Sequence, residues 1–158
     1  MKPRPFSISR SDEIYARAQE IIPAGSQTFS KGVSQFVEGF APKYLARGKG
    51  ARVWDADGNE YIDYVMGCHP LILGYADPDV NAAVVGQLEL GSTFSLMNEL
   101  EVDVTEILIE TVPCAEAARF GKNGADATTC AVRVARAVTG RDHIAYCGYH
   151  GWHDWYIA

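Results

Sequence analysis

The sequence predicts an α/β chain built in two parts. An N-terminal helix and a small antiparallel β meander come first, and the opening strand–helix–strand unit of a parallel sheet follows. Three observations carry this. Short alternating segments between residues 44 and 66 are broken by the tight-turn pair Asp57-Gly58. Residues 123–139 place Ala127, Cys130, Ala131, Val134, Ala135 and Val138 at helical spacing. Short strand candidates at 117–120 and 143–147 flank that helix, the pattern of a βαβ unit. The boundary is placed at 76/77: residues 1–76 hold the arm, helix and meander, and residues 77–158 the first part of a larger α/β domain.

Residues 1–8 read as a loose arm. A helix is predicted over 11–22, with Ile14, Ala18, Ile21 and Ile22 on one face and Pro23 as its stop. Strands are predicted over 35–38, 44–47, 51–55 and 60–66, and Gly58 takes the positive φ of the turn between the last two. Asp77-Pro78 is an N-cap followed by proline at the first helical position. Val80, Val84 and Leu88 follow on one face, and Gly91 ends the helix. Asn98 and Glu101 have capping-box spacing before the stripe Leu100, Val104, Ile107 and Leu108, with Pro113 beyond its end. Gly140 closes the helix over 123–139. A single βαβ unit leaves strand edges and helix faces uncovered, so the pattern expects further strands beyond these 158 residues.

Composition narrows the function classes. The chain is 47% hydrophobic and 22% charged, as ordinary globular proteins are. Fourteen Lys and Arg against 20 Asp and Glu give a net charge of −6, which argues against nucleic acid or an anionic membrane as partner. No stretch approaches the apolar length of a membrane span, and the basic start has no apolar run behind it as a secretory signal would. A cytoplasmic location is expected, with Cys68, Cys114, Cys130 and Cys147 as reduced, buried thiols.

Two loops could carry chemistry. Between a strand and a helix, Lys122-Asn123-Gly124-Ala125-Asp126 could cradle a phosphate on free helix amides, aided by the helix dipole. It matches neither the Walker pattern nor G-x-G-x-x-G. The plain alternative is that Asn123 and Asp126 only cap the helix. After the next strand, Gly148-Tyr149-His150-Gly151-Trp152-His153 should reach the same end of the sheet, where Tyr149 could stack on a flat ring. The alternative there is that Tyr149, Trp152 and Trp155 pack internally. His150-x-x-His153 with Cys147 is too permissive a spacing to indicate a metal. His69 and His143 stand alone in the pattern, and the acidic run from Glu99 to Glu110 reads as a solvated helix face.

Taken together, the segments 50–64, 71–78, 99–102, 123–127, 132–141 and 149–151 resemble the class III, fold type I, pyridoxal-phosphate aminotransferases, and among them the glutamate-1-semialdehyde 2,1-aminomutase group. The resemblance runs from Ile22-Pro23-Ala24-Gly25 onward. It implies pyridoxal 5′-phosphate as cofactor, an amino acid or amino-carbonyl substrate as amino donor and acceptor, and a homodimer. It assigns Asn123, Gly124, Ala125 and Asp126 to the cofactor phosphate and pocket, Tyr149 to the pyridine ring, and His150 to the turn beside it. The family usually has Ser-Gly-Thr-Glu-Ala where this chain has Asn-Gly-Ala-Asp-Ala, so the threonine hydroxyl is missing and Asn123 is the candidate to compensate. Lys31 stands nearest a substrate-gripping arginine of close relatives, and Cys68-His69 replaces a tryptophan, which makes Lys31 and His69 substrate-binding candidates. The lysine that forms the Schiff base in such enzymes lies beyond the Tyr-His-Gly turn, and no lysine here matches it. These residues alone are therefore expected to be inactive. A non-catalytic interaction module that keeps the fold is the alternative.

Overall fold

The computed structural model describes residues 6–157; residues 1–5 of the predicted arm lie outside the described residues. The chain divides into two compact units, Met1–Thr93 and Phe94–Ala158.

In the first unit, helix α1 (Ser9–Ile21) starts two residues before its predicted position. Its N-cap, Ile8, has no side chain able to cap. Asp57 does this work from a distant turn: its carboxylate accepts from the Arg10 amide at 2.8 Å, the Ser11 amide at 3.0 Å and the Ser11 hydroxyl at 2.5 Å. Ser11 and Ala18 are buried, while Ile21 is exposed.

Three short 3-10 turns follow, Pro23–Gly25, Phe29–Lys31 and Val33–Gln35. The last corrects the strand predicted over 35–38. The amides of Gln35 and Phe36 are spent on turn bonds to Gly32 and Val33, and Ala41 bonds back to Val37, so no ladder can form there.

The meander forms as strands β1 (Leu45–Lys49), β2 (Arg52–Asp55) and β3 (Glu60–Ile62), antiparallel in that order. Gly48 opposes Val53 and Val53 opposes Tyr61, with a bulge between Leu45 and Arg47. Val53 and Asp55 are buried. Asp55 accepts from the amides of Asp57 and Asn59, the Asn59 side chain and the Tyr61 hydroxyl, at 2.8–3.0 Å. It thereby organises the turn in which Gly58 takes φ +86°.

β3 ends at Ile62 rather than at residue 66. Met66, Gly67, Cys68 and His69 all have positive φ, from 50° to 79°, a left-handed stretch that no strand can contain. The chain then returns to the sheet at Tyr75, which exchanges both backbone bonds with Gly50 at 2.9 Å. The Tyr75 ring lies on Gly48, where an added Cβ would stand 2.4 Å from it. Helix α2 (Pro78–Leu90) begins and ends as predicted: Asp77 accepts from the amides of Asp79 and Val80, both at 3.1 Å, and Gly91 follows the last turn.

In the second unit, α3 (Glu99–Thr111) is opened by the Asn98–Glu101 capping box. Helix α4 (Gly124–Thr139) ends on Gly140 in the left-handed conformation, and one short turn of helix, α5 (Asp154–Ile157), completes the described chain. The segments 117–120 and 143–147, predicted as parallel strands, have no ladder partner among the described residues. A strand, unlike a helix, exists only by pairing. The apolar stripes of α2, α3 and α4 sit where the sequence places them, yet none has a buried residue. The four cysteines are exposed, not buried; Cys130 lies on the uncovered stripe of α4. Among the described residues no helix is long and apolar enough to cross a membrane.

Candidate functional site

The site is built at the start of α4. Asn123 accepts the Asp126 amide at 3.0 Å, and the Asp126 carboxylate returns to accept the amides of Asn123 at 3.3 Å and Lys122 at 3.1 Å. Gly121 makes this fold-back possible, since a Cβ there would meet that of Asp126 at 2.9 Å. The Ala127 amide bonds to the Asn123 carbonyl. What is left over is specific: the amides of Gly124 and Ala125 have no partner among the described residues. They open at the positive end of the helix dipole, an arrangement that favours an anion.

The loop after residue 147 is fastened onto this helix end. Thr128 donates its hydroxyl to the His150 carbonyl at 2.7 Å, with the Ala125 carbonyl at 3.1 Å. Gly151 lies so close to α4 that an added Cβ would be 2.9 Å from both Cα and Cβ of Ala125, and its φ of +123° is one that L residues rarely adopt. His150 Nε2 is 2.7 Å from the Cys147 carbonyl. A carbonyl only accepts, so this nitrogen carries the proton. Further along, Thr129 Oγ1 lies 2.6 Å from His153 Nδ1 and 2.9 Å from Trp155 Nε1, and His153 Nε2 lies 3.6 Å from Asp126 Oδ1.

Helix end and loop enclose an open concavity of about 590 Å³, lined by residues 123–125, Thr128 and residues 149–153. That is within the size range of small-molecule sites. Tyr149, one of the lining residues, is 73% exposed.

Of the residues singled out in the sequence, Asn123, Gly124, Ala125, Tyr149 and His150 line this one concavity. Asp126 sits one step behind it, with its carboxylate turned to the helix cap. Both readings of the Asn123–Asp126 pattern therefore hold at once: the two side chains cap the helix, and by doing so leave two amides open. Lys31, in the turn Phe29–Lys31, and His69, in the left-handed stretch, are exposed residues of the first unit. Thr128 escaped the sequence reading, although its position one helical turn after Gly124 puts it on the same face. His153, at the end of the predicted site loop, has its imidazole engaged with Thr129, and among the described residues no three His, Cys, Asp or Glu side chains gather as a metal set.

Comparison with known proteins gives this geometry a context. The chain is 42% identical over 153 residues to a 3-aminobutyryl-CoA aminotransferase of Cloacimonas acidaminovorans, covering 96% of this chain and 37% of that protein. It is also 42% identical over 153 residues to a glutamate-1-semialdehyde 2,1-aminomutase of Methanothermobacter thermautotrophicus, covering 94% and 35%. Among solved structures, an omega-transaminase from Sphaerobacter thermophilus matches with a TM-score of 0.83 at 38% identity, covering 96% of this chain and 33% of that one. A transaminase with PLP bound matches with a TM-score of 0.85 at 33% identity, covering 94% and 34%. The chain thus spans about a third of the length of these relatives, and the solved neighbours are fold type I transaminases. The family model for class-III aminotransferases matches residues 37–158, most of the sequence and the whole of the site, and the chain belongs to that family.

Proposed function

We propose that this chain supplies the phosphate- and ring-binding part of a pyridoxal-phosphate-dependent aminotransferase or aminomutase that moves an amino group between an amino compound and a carbonyl compound. One observation carries the reading: Gly124 and Ala125, whose amides have no partner among the described residues, line the same concavity as Tyr149. The residues fit the cofactor. Gly124 and Ala125 would hold its phosphate, and Tyr149 would cover its ring. When bound, the cofactor supplies an electron sink for a carbanion. The chain's own part is to bind, orient and shield. Thr128 and Gly151 hold the Tyr149 loop against the helix end, and His150 fixes the turn through its bond to the Cys147 carbonyl.

Substrate class is a further proposal. Two similar proteins are named for a β-amino thioester and for an amino aldehyde, so an amino-carbonyl compound is the substrate to try first. Lys31 and His69 are proposed as substrate contacts on resemblance alone. Lys31 would meet a carboxylate as a point charge, without the two-pronged grip of an arginine. A homodimer in the cytoplasm completes the proposal.

The test is titration of the full-length protein with pyridoxal phosphate, followed by absorbance and by borohydride fixation. Binding with a change of absorbance that borohydride makes permanent is expected. Tyr149→Ala should weaken binding roughly three- to tenfold, the worth of one aromatic stack. A full-length protein that binds no pyridoxal phosphate would end the proposal.

A further inference from the structure

We propose that His153 is a positioning residue for the phosphate cradle, acting through Asp126 with Nδ1 accepting from Thr129 and Nε2–H turned to the carboxylate. A chain of donors leads from Trp155 to Asp126. The Trp155 indole N–H can only donate, and it donates to Thr129 Oγ1 at 2.9 Å. Thr129 keeps one hydrogen of its own, and the acceptor nearest to it is His153 Nδ1 at 2.6 Å. Nδ1 is then the accepting nitrogen, and the ring proton is carried on Nε2. That edge faces Asp126 Oδ1 at 3.6 Å. The other oxygen of Asp126 receives the amides of Lys122 and Asn123. Trp155, Thr129 and His153 therefore brace the one carboxylate that folds residues 122–123 back over the helix start. It is this fold-back that leaves the amides of Gly124 and Ala125 open.

The same contacts tie the two halves of the site together. His153 belongs to the loop that carries Tyr149, and Asp126 and Thr129 belong to α4. A shift of the imidazole would move the ring-covering loop and the cradle relative to each other. The inference rests on the proposed function for the ligand it names, but the tautomer and the brace do not depend on any ligand.

The experiment has two arms on the full-length protein. The first is 15N NMR of labelled histidine, with the His153 signal identified by its loss in His153→Gln. An unprotonated Nδ1 with the proton on Nε2 is expected; a protonated Nδ1 overturns the inference whatever the protein binds. The second arm measures the affinity of pyridoxine 5′-phosphate, which carries the phosphate and ring but no aldehyde and so reports the cradle alone. Thr129→Val and His153→Phe are expected to weaken it roughly three- to tenfold, the loss of one hydrogen bond. His153→Gln, which keeps an N–H near the Nε2 position, is expected to recover most of the loss; a Gln variant no better than Phe counts against the role. If the wild type binds and Thr129→Val binds within twofold of it, the inference alone falls. If the wild type binds neither pyridoxine 5′-phosphate nor pyridoxal phosphate, the proposed function falls and the cradle role with it, while the first arm still decides the tautomer.

Discussion

Helices α1 and α4 begin in opposite ways, and the difference explains why one of them can hold a ligand. At α1 the opening amides of Arg10 and Ser11 are taken by Asp57, a residue of the β2–β3 turn. At α4 the cap is local and reciprocal, Asn123 with Asp126, and it stops short of Gly124 and Ala125. Every helix leaves about four N–H groups without intrahelical partners. When a tertiary contact consumes them, the helix end becomes a structural joint. When the cap spares them, a ready anion site is left. The two starts share a helix dipole, so the dipole alone does not make a site.

The joint depends on Asp55, and its removal is the change of largest expected effect. Asp55 is buried and receives four hydrogen bonds within the turn that presents Asp57. Asp55→Ala should cost the first unit about 3 kcal/mol, the scale for removing a buried acceptor of several hydrogen bonds from half-buried donors. Hydrogen exchange should quicken at Arg10 and Ser11, far away in sequence, and be unchanged at Asp126 and Ala127. A second signature is optical. Burial and the hydrogen bond to Asp55 push the Tyr61 phenol up to about 12. In the variant its ultraviolet titration should move back toward the ordinary value. Equal loss of protection at both helix starts would mean that the two caps are not independent.

Gly151→Ala probes the other side of the comparison. The new methyl would need space already filled by Ala125, in a backbone conformation with φ +123°. About 2 kcal/mol is expected, taken from the loop and not from the helix cap. Pyridoxine 5′-phosphate should bind more weakly because Tyr149 is displaced, while the Asp126 amide keeps its protection. Should that amide lose protection as well, loop and cap are one cooperative piece.

Legibility in the sequence followed the same local-versus-distant line. The starts of α2, α3 and α4 were readable because Asp77, Asn98 and Asn123 cap within three residues of themselves. The start of α1 was misplaced because its cap lies in a turn that only the folded chain brings near. The strands of the meander were found through Asp57-Gly58. By contrast, 35–38, 117–120 and 143–147 looked like strands by composition but lack ladder partners among the described residues. Apolar stripes show which face of a helix calls for cover, not what covers it: Leu88, Ile107 and Val134 are all more than half exposed. In the site, glycines and caps pointed to the cradle and the aromatic turn. The Thr128 and His153 contacts did not show, because they join residues 22–24 positions apart.

The smallest expected effect is the most direct test of the tertiary cap. Burial alone would raise the Asp57 carboxyl, but the Ser11 hydroxyl and the amides of Arg10 and Ser11 outweigh it and hold the group below its ordinary value of 3.8. The sign follows from proton counting. A depressed folded value means that the unfolded chain binds the proton first as pH falls, so the stabilisation is complete above about pH 4 and is lost as pH drops through the folded value. Asp57→Asn keeps one acceptor oxygen and removes the charge. Because the Arg10 bond is solvent-exposed, the cost at neutral pH should be only about 1 kcal/mol, at the lower end for a helix cap. Exchange at Arg10 and Ser11, corrected for intrinsic rates, should therefore lose protection in the parent as pH falls below the ordinary carboxyl value of 3.8. In Asp57→Asn it should start lower and stay flat across the same range. A parent whose protection is equally flat would mean that the carboxylate charge contributes nothing at the α1 start, and the contrast with α4 would then rest on geometry alone.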